Sequence, residues 1–155
     1  MAYLSLLFHS AERQCDLIDL LPSNDSGPIA LVDETVMFSV HMASQEPLEV
    51  RLTTTPTSDD GYIFKINTNT ELFRIQSSVE NSLKVESTPN ILGPGWRTLW
   101  VDYRCTGVIL GSGNDVILHF NDTASHQKIY YIKFEKPPSN QTILLCNRKG
   151  KLFPL

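Results

Sequence analysis

An alternation of hydrophobic and polar positions runs through most of the chain. In its clearest stretch, Phe38 and Val40 are separated by Ser39 and followed by His41. Alternate residues of a β-strand share one face of the sheet, so this pattern predicts a strand with one buried and one exposed face. Similar stretches recur about every ten residues. The predicted strands are 36–42, 48–53, 62–66, 73–75, 83–85, 96–103, 108–110, 116–120, 130–134 and 142–146.

These strands lack the intervening helices that parallel crossover connections need, so the sequence predicts antiparallel pairing. An antiparallel set of this size buries its hydrophobic faces by packing two sheets together. The predicted fold is therefore an all-β, antiparallel β-sandwich of the jelly-roll or Greek-key kind. The predicted core residues are Phe38, Val40, Val50, Leu52, Phe64, Ile66, Trp100, Leu118, Phe120 and Ile132.

A different pattern precedes the strands. Leu17, Leu20 and Leu21 recur at helical spacing, and the segment 22–28, which is rich in Pro, Ser and Gly, would end a helix. This pattern predicts a short N-terminal helix over 11–21. Because an isolated helix of this length is marginal in water, we expect it to dock on the sandwich.

Composition is that of one ordinary globular domain. The chain has 155 residues, of which 41% are hydrophobic and 19% charged, enough to bury a sizeable core. Its formal net charge of -4 is not that of a protein that binds phosphate backbones, so we expect no direct contact with nucleic acid. Hydrophobic runs fall short of the roughly 18 residues of a membrane span.

The cysteines and the glycosylation acceptor sequences point to different compartments. Cys15, Cys105 and Cys146 are odd in number and far apart, which is typical of free thiols in a reducing compartment. Three N-x-S/T acceptor sequences favour secretion instead. Their asparagines are Asn24, Asn121 and Asn140. Because no basic residue precedes the first apolar stretch, we expect an intracellular protein, cytoplasmic or nuclear, with secretion as the alternative.

The sequence contains no common catalytic signature, neither a nucleophile elbow nor a phosphate loop nor a paired-histidine zinc motif. Strand alternation places His41 and His119 opposite the hydrophobic residues, as solvent-facing side chains. The segment 111–114 is typical of a hairpin turn. We therefore expect no catalytic residue, no bound metal and no cofactor.

Both tryptophans lie in one predicted strand, 96–103. Alternation places Leu99 on one face and Trp96 and Trp100 on the other. A strand with aromatic residues on both faces is either covered on its second face or partly exposed as a binding surface. The predicted helix 11–21 would supply such a cover.

Three motifs follow one another from this strand onward. They are Leu99-Trp100-Val101-Asp102-Tyr103, Gly107-Val108-Ile109 and Leu110-Gly111-Ser112-Gly113. They resemble an aromatic-Trp-Ile-x-Trp strand, a Gly-x-Ile strand and a Val-Gly-x-Gly turn of the domain named after crustacean farnesoic acid O-methyltransferase. The likeness extends over about 36–140. It implies a β-sandwich domain over 36–155, with an N-terminal extension over 1–35 that packs on it.

That family's name refers to methyl transfer from S-adenosylmethionine to a carboxylate. Such a reaction needs a pocket for the adenosyl group, usually built on a Gly-rich loop after a parallel strand. The sequence has no such loop. We therefore predict that the protein is not an enzyme, and methyl transfer remains the least favoured alternative.

Two kinds of binding function stay open. A small subunit of a larger complex would contact a protein partner through hydrophobic residues near the termini and an exposed aromatic. Those candidates are Leu4, Leu7, Phe8, Leu17, Leu20, Trp96 and Phe153. A secreted carbohydrate-binding sandwich would instead use Asp59, Asp60 and Tyr62. The unpaired-looking cysteines favour the protein-interaction subunit.

Overall fold

All regular structure in the described part of the chain is β-structure. The computed structural model describes residues 13–32, 35–42, 47–67, 72–78, 84–88, 93, 95–103, 107–121 and 128–149. The strands are β1 Arg13–Leu20, β2 Ile29–Ala30, β3 Thr35–His41, β4 Leu48–Thr53, β5 Gly61–Asn67, β6 Leu72–Ser77, β7 Lys84–Ser87, β8 Trp96–Asp102, β9 Gly107–Ser112, β10 Asp115–Asn121, β11 Tyr131–Phe134 and β12 Gln141–Lys149.

The strands form two sheets, each with six strands. The first sheet has the order β1-β12-β3-β8-β9-β10 and the second has the order β2-β11-β4-β5-β6-β7. Neighbouring strands are antiparallel in both sheets. The predicted antiparallel β-sandwich is therefore confirmed. Strands β4 to β7 and β8 to β10 follow one another as meanders, whereas β11 and β12 return across the molecule to pair with strands from the first part of the chain.

The core lies between the two sheets, because alternate residues of each strand point inward. Two aromatic pairs pack across the interface between the sheets. Phe38 is edge-on to Phe134 at 5.6 Å between ring centroids, and Tyr62 packs against Phe120 at 5.7 Å. The predicted core residues that are buried are Phe38, Val40, Val50, Leu52, Phe64, Ile66, Leu118, Phe120 and Ile132. Trp100 is the exception.

The placement of Trp100 in the core is wrong. In β8 the buried residues are Leu99 and Val101, so Trp100 lies between them on the outer face of the first sheet. Its indole rests on Gly111, the residue opposite it in β9, where any Cβ would overlap the ring. The indole N–H donates a hydrogen bond of 2.9 Å to the carbonyl of Gly113. Trp100 is thus partly shielded from solvent by the backbone of the hairpin between β9 and β10.

The predicted helix over 11–21 is also wrong where the structure describes that region. Residues 13–20 form β1, at the edge of the first sheet beside β12, with Leu17 opposite Leu144 and Ile18 opposite Ile143. Pairing with β12 satisfies the backbone groups on that side of β1, whereas a helix of this length needs tertiary contacts to persist. Residues 13–20 therefore belong to the first sheet rather than covering it.

Cys15 and Cys146 form a disulfide, which corrects the expectation that the cysteines are free thiols. The bond joins β1 to β12, with a Cα–Cα distance of 4.0 Å and a sequence separation of 131 residues. It lies next to an irregularity in the pairing of β1 with β12, between Gln14 and Asp16. Cys105 is outside the described residues. The disulfide ties the N-terminal edge strand to the last strand of the chain.

Candidate functional site

A cavity of about 230 Å³ opens at one end of the first sheet, where β3 ends and where β8 and β12 begin. Two of its lining residues, Val40 and Ile143, are buried and hydrophobic. The remaining lining residues are polar or aromatic: His41, Trp96, Asn140, Gln141 and Thr142. We call this site the Trp96 cavity. A lining that combines apolar, aromatic and polar side chains is the usual composition of a small-molecule site.

Strand register brings these residues together. His41 is opposite Trp96 in the pairing of β3 with β8, and the amide of Met42 donates a 2.8 Å hydrogen bond to the carbonyl of Gly95. At the other wall, the Thr142 hydroxyl donates a 3.0 Å hydrogen bond to Asp19 Oδ1 in β1. The cavity is therefore built on paired strand ends.

Trp96 gives the cavity an exposed indole. Half of its surface, 50%, is accessible to solvent, and its ring stands edge-on to the His41 imidazole at 5.5 Å and 88°. The indole offers a flat apolar face, and the Asn140 and Gln141 amides supply both donors and acceptors. A ligand that suits this site has one apolar face and several hydroxyl or amide groups at its edge.

A second polar surface covers the outer face of the second sheet. Arg51 lies at its centre, with Nη2 3.0 Å from Glu49 Oε1 and Nε 3.0 Å from Glu135 Oε1. Lys133 Nζ lies 3.1 Å from the same Glu135 oxygen, and Asp59 Oδ1 lies 3.9 Å from Arg51 and 4.0 Å from Lys133. Each positive side chain in this cluster has a carboxylate neighbour, so its positive and negative charges largely balance one another.

The three residues predicted to contact a sugar do not form a site. Asp59 joins the charged surface around Arg51, and Asp60 is exposed in the turn before β5. Tyr62 is only 1% exposed and packs on Phe120 in the core. The prediction for Tyr62 is wrong because it shares the inward face of β5 with Phe64, and only side chains on the outward face reach solvent.

The residues predicted to contact a protein partner are separated in a similar way. Leu17 is 72% exposed on the outer side of β1, whereas Leu20 on the same strand is buried in the core. Burial removes Leu20 from any contact with a partner. Trp96 is exposed at the cavity. The other four candidates lie outside the described residues: Leu4, Leu7, Phe8 and Phe153.

Hydrophobic groups also form a row across the outer face of the first sheet. Strand pairing aligns Cys146 with Met37, Met37 with Trp100, Trp100 with Gly111 and Gly111 with Val116. Val116 is exposed, and Met37 and Trp100 are half-buried. This row begins at the disulfide and ends at the hairpin of β9 and β10.

Sequence reasoning missed the cavity residues at the beginning of β12 and directly before it. Asn140 and Thr142 were visible only as an acceptor sequence for glycosylation, and Gln141 carried no signal. The expectation that His41 and His119 face solvent is confirmed, since both are exposed. So is the hairpin at 111–114, which connects β9 to β10.

Two kinds of feature are absent from the described part of the chain. Among these residues, no three His, Cys, Asp or Glu side chains lie where they could hold a metal ion. Over the same residues, no helix has the length and apolar character of a membrane span.

The sequence matches no protein-family model and no curated protein. The resemblance to the farnesoic acid O-methyltransferase-like domain is therefore still a prediction. Several solved structures have a similar fold. A carbohydrate-binding module, CBM66, from Bacillus subtilis is 11% identical, with a TM-score of 0.52, and the match covers 79% of this chain and 76% of that one.

Two galectins are similar to the same degree. Galectin-Ib of Xenopus laevis is 9% identical with a TM-score of 0.52, and the match covers 84% of this chain and 99% of the galectin. A variant of human galectin-16 is 17% identical with a TM-score of 0.53, and the match covers 80% of this chain and 94% of the galectin. At this level of identity the likeness establishes a common β-sandwich fold.

Proposed function

We propose that this domain is a non-catalytic carbohydrate-binding module and that the Trp96 cavity is its sugar site. The observation that carries the proposal is the exposed Trp96 indole on the wall of a cavity that amide and hydroxyl side chains also line. No step of bond breaking is part of the function. The proposal replaces the protein-interaction subunit as the preferred function.

The chemistry of a sugar ring fits this site. One face of a pyranose presents C–H groups, which pack on an aromatic ring, and its edge presents hydroxyls that both donate and accept hydrogen bonds. Asn140, Gln141 and Thr142 carry groups of both kinds. The lining amide and hydroxyl groups are neutral, which suits an uncharged ligand. The Thr142 hydroxyl already donates its proton to Asp19 Oδ1, so toward a sugar it acts as an acceptor.

The size of the cavity limits the ligand. A volume of about 230 Å³ accepts one sugar ring, and an open site of this size buries little area. We therefore expect weak binding, with a Kd of about 0.1–1 mM or roughly 4–5.5 kcal/mol. The names of the structural neighbours, a carbohydrate-binding module and galectins, support the proposal by fold analogy alone.

The charged surface around Arg51 is less suited to a neutral sugar. Glu49 and Glu135 lie within 3.0–3.1 Å of Arg51 or Lys133, and a ligand would have to compete with these contacts. The same argument applies to Arg74 and Glu86, whose side chains lie 2.7 Å apart on β6 and β7.

Calorimetric titration of the unglycosylated, oxidised protein with a panel of neutral mono- and disaccharides tests the proposal. We expect saturable binding of at least one sugar, and Trp96→Ala should weaken it by about tenfold or more. Tyr130→Ala is the matched control, since Tyr130 is a comparably exposed aromatic, at 49%, outside the cavity. Equal loss in both variants, or no saturable binding of any sugar, would contradict the proposal.

A second candidate function, protein interaction, rests on the hydrophobic row on the outer face of the first sheet. Val116 is exposed at one end of the row, and Leu17 is exposed on β1, two residues from Cys15 of the disulfide at the other end. Exposed hydrophobic patches of this kind mark contact surfaces. Leu17→Lys should abolish capture of a protein partner without changing sugar binding if this surface is used.

A further inference from the structure

The three acceptor asparagines are all at the surface of the folded domain. Asn24 lies in the turn after β1, Asn121 ends β10, and Asn140 precedes β12, and all three are exposed. The Cys15–Cys146 disulfide adds an independent observation, because structural disulfides form in the oxidising compartments where N-glycosylation also takes place.

Asn140 differs from the other two because it lines the Trp96 cavity. Asn24 is at the same end of the molecule, since Leu21 pairs with Asn24 and the neighbouring Leu20 pairs with Gln141, yet it is not part of the cavity wall. A glycan on Asn140 would therefore start at the rim of the site. A glycan on Asn24 would start outside it.

We infer that Asn140 carries an N-linked glycan whose first N-acetylhexosamine packs on Trp96 and closes the cavity to free sugar. The glycosylated domain is then the closed form, and the domain without a glycan at Asn140 is the open form. This inference rests on the proposed function for its effect on sugar binding. It implies a secretory compartment, the alternative to the intracellular location expected from the sequence.

The modification is an ordinary glycosyl transfer. Nδ2 of Asn140 forms a bond to the anomeric carbon of the sugar, and the bond from that carbon to a pyrophosphate oxygen of a lipid-linked oligosaccharide donor breaks. The lipid pyrophosphate leaves with the electron pair, and the amide nitrogen releases one proton. Nothing is oxidised or reduced.

The transfer has to precede completion of the fold. In the folded domain Gln141 is paired with Leu20, and the Thr142 hydroxyl is bonded to Asp19. The acceptor sequence is therefore engaged in the pairing of β1 with β12. We expect glycosylation of the nascent chain and none of the folded, oxidised protein.

The size of the effect follows from the effective concentration of a tethered ligand. A sugar attached at the rim has an effective concentration of about 10 mM, because the linkage is short. If the free sugar binds with a Kd of about 1 mM, the tethered ring raises the apparent Kd about tenfold.

One chain produced in two ways provides the test. The Asn24→Gln, Asn121→Gln double variant has Asn140 as its remaining acceptor, and neither replaced residue lines the cavity. Secretion from eukaryotic cells exposes Asn140 to the glycosylation machinery. Export to a bacterial periplasm yields the same oxidised chain without a glycan. Mass spectrometry measures occupancy at Asn140, and acrylamide quenching measures the exposure of Trp96.

We expect Asn140 to be occupied in the eukaryotic product, with Trp96 less quenched and the apparent Kd for the best sugar of the panel about tenfold higher than in the periplasmic form. An unoccupied Asn140, in a wild-type chain that is glycosylated at Asn24, would overturn the inference. Equal quenching of the two forms would overturn it as well.

These readouts separate the two proposals. If the periplasmic form binds no sugar, the proposed function fails, while occupancy and quenching still decide whether a glycan covers Trp96. If the periplasmic form binds sugar and the glycosylated form binds it equally well, the proposed function stands and the closure of the cavity is refuted. A Trp96→Phe variant assigns the change in quenching to Trp96 rather than to Trp100.

Discussion

Loss of the Cys15–Cys146 disulfide should destabilise the domain by several kcal/mol. The bond closes a loop that spans 131 residues, nearly the whole chain. In the chain-entropy model a cross-link over such a loop removes about 5 kcal/mol of unfolded-state entropy at 25 °C. Domains of this size are stable by roughly 5–15 kcal/mol, so the disulfide supplies a large share of the margin. For a chain of this length, the loss corresponds to a fall in Tm of about 10–20 °C.

Two cysteine variants and a reductant provide the assay. Cys15→Ala and Cys146→Ala should show the same lowered Tm by scanning calorimetry, because each removes the same bond. Reductant should lower the Tm of the wild-type protein to that of the variants and leave the variants unchanged. A wild-type Tm that does not respond to reductant, in a sample whose mass shows complete reduction, would refute the reasoning.

Hydrogen exchange tells whether the destabilisation is local or global. β1 is an edge strand and pairs with β12, so its amides should lose protection first when the disulfide is reduced. If β1 opens alone, the amides of β1 that are hydrogen-bonded to β12 exchange faster, while those of the central strand β3 keep their protection. Uniform loss of protection would instead show that the edge strand and the core unfold as one unit.

Three substitutions test other parts of the structure. Gly111→Ala places a Cβ inside the indole of Trp100, so the free energy of unfolding should fall by about 1–3 kcal/mol in urea denaturation. Phe64→Ala removes a fully buried ring and should lower the free energy of unfolding by about 3–5 kcal/mol in the same measurement. An unchanged free energy of unfolding would contradict the placement of Phe64 on the inward face of β5. Arg51→Ala breaks ion pairs with Glu49 and others at the surface and should cost no more than about 1 kcal/mol, diminishing in high salt.

The strands and most of the core could be predicted from the sequence because alternation is a local signal. Phe38 and Val40 are buried and His41 is exposed, as their positions in the pattern require. The same rule also places Trp100 correctly, on the face opposite Leu99, and its assignment to the core was wrong because it set the rule aside. Size and hydrophobicity suggested the core, but the parity of β8 sends Leu99 inward and leaves the indole outside.

The segment 13–20 shows why local signals can mislead. Its hydrophobic residues fit a short helix as well as a strand, and periodicity alone does not decide between the two over so few residues. The pairing with β12, more than 120 residues away along the chain, decided it. The disulfide depends on that same pairing, since Cys15 and Cys146 become neighbours only when β1 lies beside β12.

The sequence by itself determined that the chain is an antiparallel β-sandwich and which face of most strands is buried, because side-chain direction in a strand repeats every two residues. Only the tertiary structure decided which strands are neighbours. That pairing in turn determines which cysteines form the disulfide and which residues line the Trp96 cavity. His41, Trp96 and Asn140 come from three separate parts of the sequence, and they meet because the end of β3 lies beside the beginnings of β8 and β12. Long-range strand pairing of this kind leaves no trace in local periodicity, since it reflects the burial of both sheets at once.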